Sequence, residues 1–199
     1  MILVIDIETG GTDETESPIL QIGATWLDGG GTFFMETRSN DRDFIHPAAL
    51  KVNGIAPDAI DHPDRTLDTA AVAQLIGWVK ARVLHEPRCV KLAGWNVQFD
   101  FRFLCDAIKR AGMSVYDTPL SGQLLDLHSV LLMDLMRRGK TADHEWGSKH
   151  LLRNADAAAA MLGVEVEQRP HNALNGAKWA RAVAWKLIGN TPTADNGQS

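Results

Sequence analysis

Cysteine is nearly absent from this chain: only Cys89 and Cys105 occur, and no Cys-x-x-C. That excludes a disulfide framework or a cysteine-based zinc cluster and sets a reducing cytoplasm as the expected compartment. Long apolar runs are also missing. The first one, from Met1 to Ile5, stops at Asp6 with no basic segment before it, so no secretory signal is expected. No stretch approaches the roughly 18 apolar residues of a membrane span, and no membrane association is expected. An excess of basic charge is lacking too: 20 Lys+Arg against 25 Asp+Glu leave a net of −5. A protein that coats nucleic acid by charge alone is thereby disfavoured, but an enzyme whose metal ions supply positive charge at the site is not. Repeats and low-complexity blocks are absent apart from a polar, turn-rich end, residues 189–199, expected to be a frayed tail after one domain over 1–188.

With 199 residues, 45% of them hydrophobic, the chain can build one full core. Ile2 to Ile7 reads as a buried strand. Pro18 to Leu27 and Thr32 to Thr37, separated by Gly29-Gly30-Gly31, read as a hairpin. A loop carrying Pro47, Asn53-Gly54, Pro57 and Pro63 follows. Apolar residues at 72, 75, 76, 79 and 83 predict a helix over 66–84. Residues 89–94 predict a strand and 99–111 a helix. Residues 124–127 predict a short strand leading into a helix through Met136, and 145–162 and 177–188 predict the last helices. Three strands followed by strands alternating with helices indicate an α/β domain with a mixed sheet covered by helices.

Three segments carry candidate chemistry. Asp6 and Glu8 lie two apart at the end of the first strand, so both carboxylates leave the same face. Held that close they repel one another unless a cation lies between them. The same spacing at Glu14/Glu16, Asp41/Asp43 and Glu165/Glu167 shows that spacing alone marks nothing. What distinguishes Asp6/Glu8 is the interruption of a core strand, where unpaired carboxylates are costly to bury. The second segment, Gly94 to Asp100, joins a strand to a helix; its Asn96 and Asp100 read either as helix caps or as site residues. Ligands in α/β sheets bind beyond strand ends, so Asp6 and Asp100 are placed to share one cleft. The third segment, Pro170-His171-Asn172-Ala173-Leu174-Asn175-Gly176, precedes the last helix. Its histidine is one of seven, and reads equally as an ordinary loop residue.

Together and in this order the three segments resemble the DEDDh family of 3′–5′ exonucleases, the group with the polymerase proofreading ε subunit, oligoribonuclease and ribonuclease T. Asp6-Ile7-Glu8-Thr9-Gly10 matches its first motif, D-x-E-T-x, Asn96 to Asp100 its second, N-x-x-F-D, and His171-Asn172-Ala173 the start of its third, H-x-A-x-x-D. The hairpin and the segment Pro47 to Ile55 are similar to that family as well. The resemblance implies a ribonuclease-H-like fold with a mixed five-stranded sheet flanked by helices, and two Mg²⁺ or Mn²⁺ ions around the scissile phosphate. It implies that Asp6 bridges both ions, Glu8 holds the one that activates water, Asp100 contributes directly or through water, and His171 is the general base. Thr9, Gly10, Asn96 and Phe99 would grip the terminal nucleotide of a single-stranded DNA or RNA, and association with a polymerase is compatible with the resemblance. The third motif departs from the pattern: its aspartate position is Gly176. Asn175, with a neutral amide oxygen, is the candidate substitute ligand, and Asn-Gly is a turn signal that would delay the helix start. Two outcomes follow from this: a metal-dependent exonuclease releasing nucleoside 5′-monophosphates, or an impaired member that binds nucleic acid without cutting. Clusters at Lys109-Arg110, Arg137-Arg138-Lys140 and Lys149-His150-Arg153 are candidate backbone contacts or solvated helix faces.

Overall fold

β-Branched and aliphatic residues fill Ile2–Thr9, which forms the central strand β1. The computed structural model describes residues 1–39, 44–83, 89–139, 155–167 and 170–189. Ile19–Trp26 (β2) pairs antiparallel with β1, and Thr32–Arg38 (β3) pairs antiparallel with β2. The turn between them runs through Gly29, Gly30 and Gly31, all at positive φ, where a side chain would be strained. Arg82 closes that turn, bonding to the Gly29 carbonyl (2.6 Å) and pairing with Asp28 (2.9 Å).

Two short helices follow, Pro47–Asn53 (α1) and Pro57–Ile60 (α2), where a loop was expected. The prolines that read as breakers are helix starters, since a first helical position needs no N–H. The His46 side chain accepts from Ala48 N–H to cap α1 (3.1 Å). Thr66–Leu67 (β4) pairs parallel with the end of β3 and leads into Asp68–Val83 (α3). Val90–Gly94 (β5) and Leu120–Asp126 (β6) extend the other side of the sheet in parallel, separated by Val97–Arg110 (α4) and a 3₁₀ turn at Val115–Asp117. Leu127–Arg137 (α5), Ala155–Leu162 (α6) and Ala173–Leu187 (α7) complete the described elements. The sheet order is β4-β3-β2-β1-β5-β6. This is the mixed, helix-flanked α/β sheet anticipated, with one strand more than five; β4 has two residues and no periodicity to read.

The sheet is buried on both faces. Leu3, Ile5 and Ile7 pack with α3 and α4, through Leu75, Val79, Phe103 and Leu104. Val4 packs on the opposite face with Trp179, Ala180 and Val183 of α7. Alternation along β1 therefore puts Asp6 and Glu8 on the α7 face. Residues 190–199 and the first ten residues of the helix expected over 145–162 lie outside the described residues.

Candidate active site

The register of the sheet explains where Asp100 goes. β5 pairs with β1 only through Val4 and ends at Gly94, leaving the Ile7 N–H without a strand partner on that edge. Asp100, in the first turn of α4, fills the gap: its Oδ1 accepts from Ile7 N–H at 2.9 Å. Gly94 allows this approach, because a Cβ there would lie 2.7 Å from the Ile5 carbonyl oxygen. Asn96 departs from the expected side-chain cap. It adopts a left-handed conformation (φ 58°), and its N–H is held by Asp126 Oδ1 at 2.9 Å. Asp126 also caps α5, so a residue that the motifs do not mark fixes both helix starts beside the site.

On the α7 face, Gly23 lies opposite Asp6 and Gln21 opposite Glu8. A Cβ at Gly23 would overlap the backbone of Ala173 and Leu174, so glycine there lets α7 rest directly on the sheet. Gln21 Oε1 accepts from Ala173 N–H (3.2 Å), and Asn172 Oδ1 accepts from Leu174 N–H (3.1 Å) and Asn175 N–H (3.3 Å). These bonds start α7 at Ala173, four residues before the expected start. The Asn-Gly pair is helix interior because docking overrides its turn propensity. Gly176 consequently faces Asp6, and a Cβ there would overlap the Asp6 carboxylate. Asn175, the expected substitute ligand, is exposed and lines a hollow with Glu167, Lys178 and Trp179. Successive helix residues point about 100° apart, and only one of the two can face the acids.

Asp6, Glu8 and Asp100 thus meet at one end of β1. Burial first, then the charges of Asp100, Glu8 and Glu167, push Asp6 well above the usual carboxylate range. Burial likewise raises Asp100. Glu8 is pushed up to about 7, by burial and then by the charge of Glu167. None of the three pairs with Lys or Arg among the described residues. By donor type and charge the set fits hard divalent cations, which replace exactly this kind of mutual repulsion by attraction. Among the described residues no three His, Cys, Asp or Glu side chains converge, as placed, on a point that could hold an ion.

Glu167 has no place among the motifs, and its Glu165/Glu167 spacing looked like surface noise. The chain path brings it back: Glu167 Oε2 lies 3.0 Å from His171 Nδ1, and its side chain is 9% exposed. Beside Glu8 opens a cleft of about 580 Å³, lined by Thr9, Phe44, Val52, Asn53 and Phe99 among others. Phe44 and Val52 are 56% and 62% exposed, an apolar rim that the motifs did not reveal. Of the expected grip residues, Thr9 and Phe99 line this cleft. Gly10 does not: its N–H donates to the Pro18 carbonyl and its own carbonyl accepts from His46 N–H. Asn96 is outside the lining as well. None of the candidate basic contacts among the described residues lines it, and Lys109 lines another hollow with Met113 and Tyr116. Arg110 pairs with Asp68 and Asp106 (both 2.6 Å), Arg137 and Arg138 pair with Asp134 (3.0 and 2.7 Å), and Lys140, Lys149, His150 and Arg153 lie outside the described residues.

The raised acids make a prediction for stability. Folded Glu8 holds its proton more tightly than unfolded Glu8 does, so its contribution is complete below about pH 4.5 and is lost as pH rises toward 7. The loss is of the order of 3 kcal/mol. In chelator, the thermal midpoint is expected to fall between about pH 5 and pH 8, and Mn²⁺ or Mg²⁺ at pH 8 to restore it. A metal-free midpoint that rises across that range contradicts the assignment.

Known proteins share this outline. Escherichia coli exonuclease I in complex with a dT13 oligonucleotide is 21% identical, with a TM-score of 0.72 over 94% of this chain and 40% of that one. The zinc-ion-bound form of the E. coli exonuclease I complex with single-stranded DNA is 20% identical, with a TM-score of 0.72 over 94% and 40%. An exonuclease I structure described as suggesting how processivity is achieved is 19% identical, with a TM-score of 0.74 over 96% and 41%. At such identities the likeness is one of fold, and this chain spans about two fifths of the length of those relatives. A family model, RNase T exonuclease, matches residues 3–183, a range that takes in nearly all of β1, all of α4 and most of α7 together with Asp6, Glu8 and Asp100; the chain belongs to that exonuclease family.

Proposed function

We propose that the chain is a metal-dependent 3′–5′ exonuclease of the DEDDh type, removing nucleoside 5′-monophosphates from the 3′ end of single-stranded nucleic acid. The observation that carries this reading is the burial of Asp6, Glu8 and Asp100 at one end of β1, where Glu8 also lines a cleft. Those three carboxylates would hold two Mg²⁺ or Mn²⁺ ions, whose chemistry is to place positive charge on the attacking and leaving oxygens of an in-line displacement. The chain's own part is positioning and proton transfer. With Nδ1 donating to Glu167, the His171 Nε2 is left unprotonated and accepts the proton of the attacking water. The Glu167 carboxylate then stabilises the imidazolium. Phe99, Phe44 and Val52 offer apolar surface for the terminal nucleotide, and Thr9 closes the floor beside Glu8. An open cleft suits a polymer end better than a small phosphate ester, and the exonuclease I complexes with dT13 favour single-stranded DNA as the first substrate to try.

The test is incubation of 5′-labelled single-stranded DNA and RNA with Mn²⁺ or Mg²⁺. A ladder shortening from the 3′ end, abolished by chelator and by Asp6→Ala, is expected. Oligonucleotide binding indifferent to chelator, with no cleavage under either metal, would overturn the reading.

A further inference from the structure

Asn53-Gly54 reads as part of a loop in the sequence, but at the end of α1 it touches both halves of the site. Asn53 is buried, and its Nδ2 donates to the Thr9 carbonyl at 3.0 Å, one residue past Glu8. Gly54 caps α1 in the left-handed region (φ 65°), its N–H donating to the Leu50 carbonyl. There it abuts Pro170, the residue before His171, so closely that an added Cβ would overlap the Pro170 ring. Val52, next to them in the chain, lines the cleft together with Asn53. Three consecutive residues therefore reach the cleft wall, the end of β1 and the approach to His171. His171 itself lies just before α7, and its backbone is directed by its two neighbours. Asn172 on one side is pinned as the cap of α7. On the other side the fixed φ of Pro170 makes a contact on its ring a control on how the chain enters His171. Only glycine allows that contact without pushing Pro170 away.

We propose that the Asn53-Gly54 end of α1 is a positioning element for His171: Gly54 seats Pro170 while Asn53 fastens α1 to the Glu8-Thr9 end of β1, so that the cleft wall and the base share one support. This rests on the exonuclease reading in one respect, that His171 is the base. A base must lie within hydrogen-bond reach of the water it deprotonates, and misplacement by about 1 Å can cost 10²-fold in rate. The rival role for these residues is to shape the cleft wall alone.

Steady-state cleavage of a 5′-labelled oligonucleotide, measured well below each variant's melting midpoint, separates the two. Gly54→Ala is expected to lower kcat about tenfold or more while KM stays within about twofold of the parent. Pro170→Gly removes the ring that Gly54 seats and should lower kcat as well. The double variant should be no slower than the slower single one, because both changes act through one contact. Alanine at positive φ is strained with or without the Pro170 ring, so that strain multiplies the loss and cannot produce this non-additivity. Should Gly54→Ala not fold, Asn53→Ala takes its place in the same cycle, since it frees α1 from Thr9. Parental kcat in the single variants, a change confined to KM, or losses that multiply in the double variant overturn this inference alone, given a parent that cuts and is slowed by His171→Ala. A parent that cuts as fast with His171→Ala overturns the assignment of the base and this inference with it. A parent that does not cut overturns the exonuclease reading as a whole.

Discussion

Asp6→Asn is expected to abolish metal-dependent cleavage while making the metal-free protein more stable. The carboxylate lies against Gly176 and is raised by burial and by the charges of Asp100, Glu8 and Glu167, so ionised Asp6 is a source of strain in the absence of a cation. Asparagine has nearly the same shape and no charge. It removes the repulsion and, on the proposed exonuclease reading, a group that would hold cations against the scissile phosphate. Charge stabilisation of this kind is worth several kcal/mol in the transition state, and each 1.36 kcal/mol is tenfold in rate, so a loss of roughly 10³-fold is expected. Single-turnover cleavage of a 5′-labelled oligonucleotide and a thermal melt in chelator measure the two effects. A variant that keeps a tenth of the parental rate, or melts below the parent in chelator, sinks the assignment of Asp6. The opposed signs matter, because a residue with a purely structural role would lose stability and activity together.

Gly23→Ala carries the largest expected effect on stability. The added methyl would overlap the carbonyl of Ala173 and the nitrogen of Leu174. Both are backbone atoms pinned by the Gln21 and Asn172 caps, and neither can swing aside as the end of a side chain can. Overpacking of a core by single methyl groups costs about 1–3 kcal/mol, and a rigid backbone neighbour places this site at the upper end. For a domain of this size that corresponds to a drop of about 10 °C in midpoint. Relief requires α7 to lift from the sheet, which carries His171 and Gly176 away from Asp6, so cleavage should fall beyond what unfolding explains. Gly77→Ala is the matched control. Gly77 is exposed on α3, with no atom beyond its own helix backbone within 4 Å of an added Cβ, and there alanine should stabilise by about 0.5–1 kcal/mol. Equal effects at the two positions would show that α7 does not sit on Gly23.

Those two glycines also show how far local pattern carries. The strands β1, β2 and β3 were legible because β-branched and alternating residues specify a half-buried or buried strand with little help from the rest of the chain. Asp6 and Glu8 were legible for the complementary reason, that acids interrupting such a strand need a compensating partner. The short helices α1 and α2 were not, since prolines at first helical positions look the same as prolines in loops. The start of α7 was not, because Asn175-Gly176 favours a turn locally and only docking on Gly23 and Gln21 makes it helix.

By itself, then, the sequence determined an α/β chain whose central strand ends in two acids, with a third acid and a histidine in later segments. Local composition and period suffice for that, since each signal is contained in a few neighbouring residues. Only the tertiary structure decided which acids share one place. Glu165/Glu167 and Asp6/Glu8 have the same spacing, but the return of the chain before α7 buries Glu167 against His171 and turns Gly176, not Asn175, toward Asp6. Side-chain charge is a local property; its neighbours across the fold, and hence its chemistry, are not.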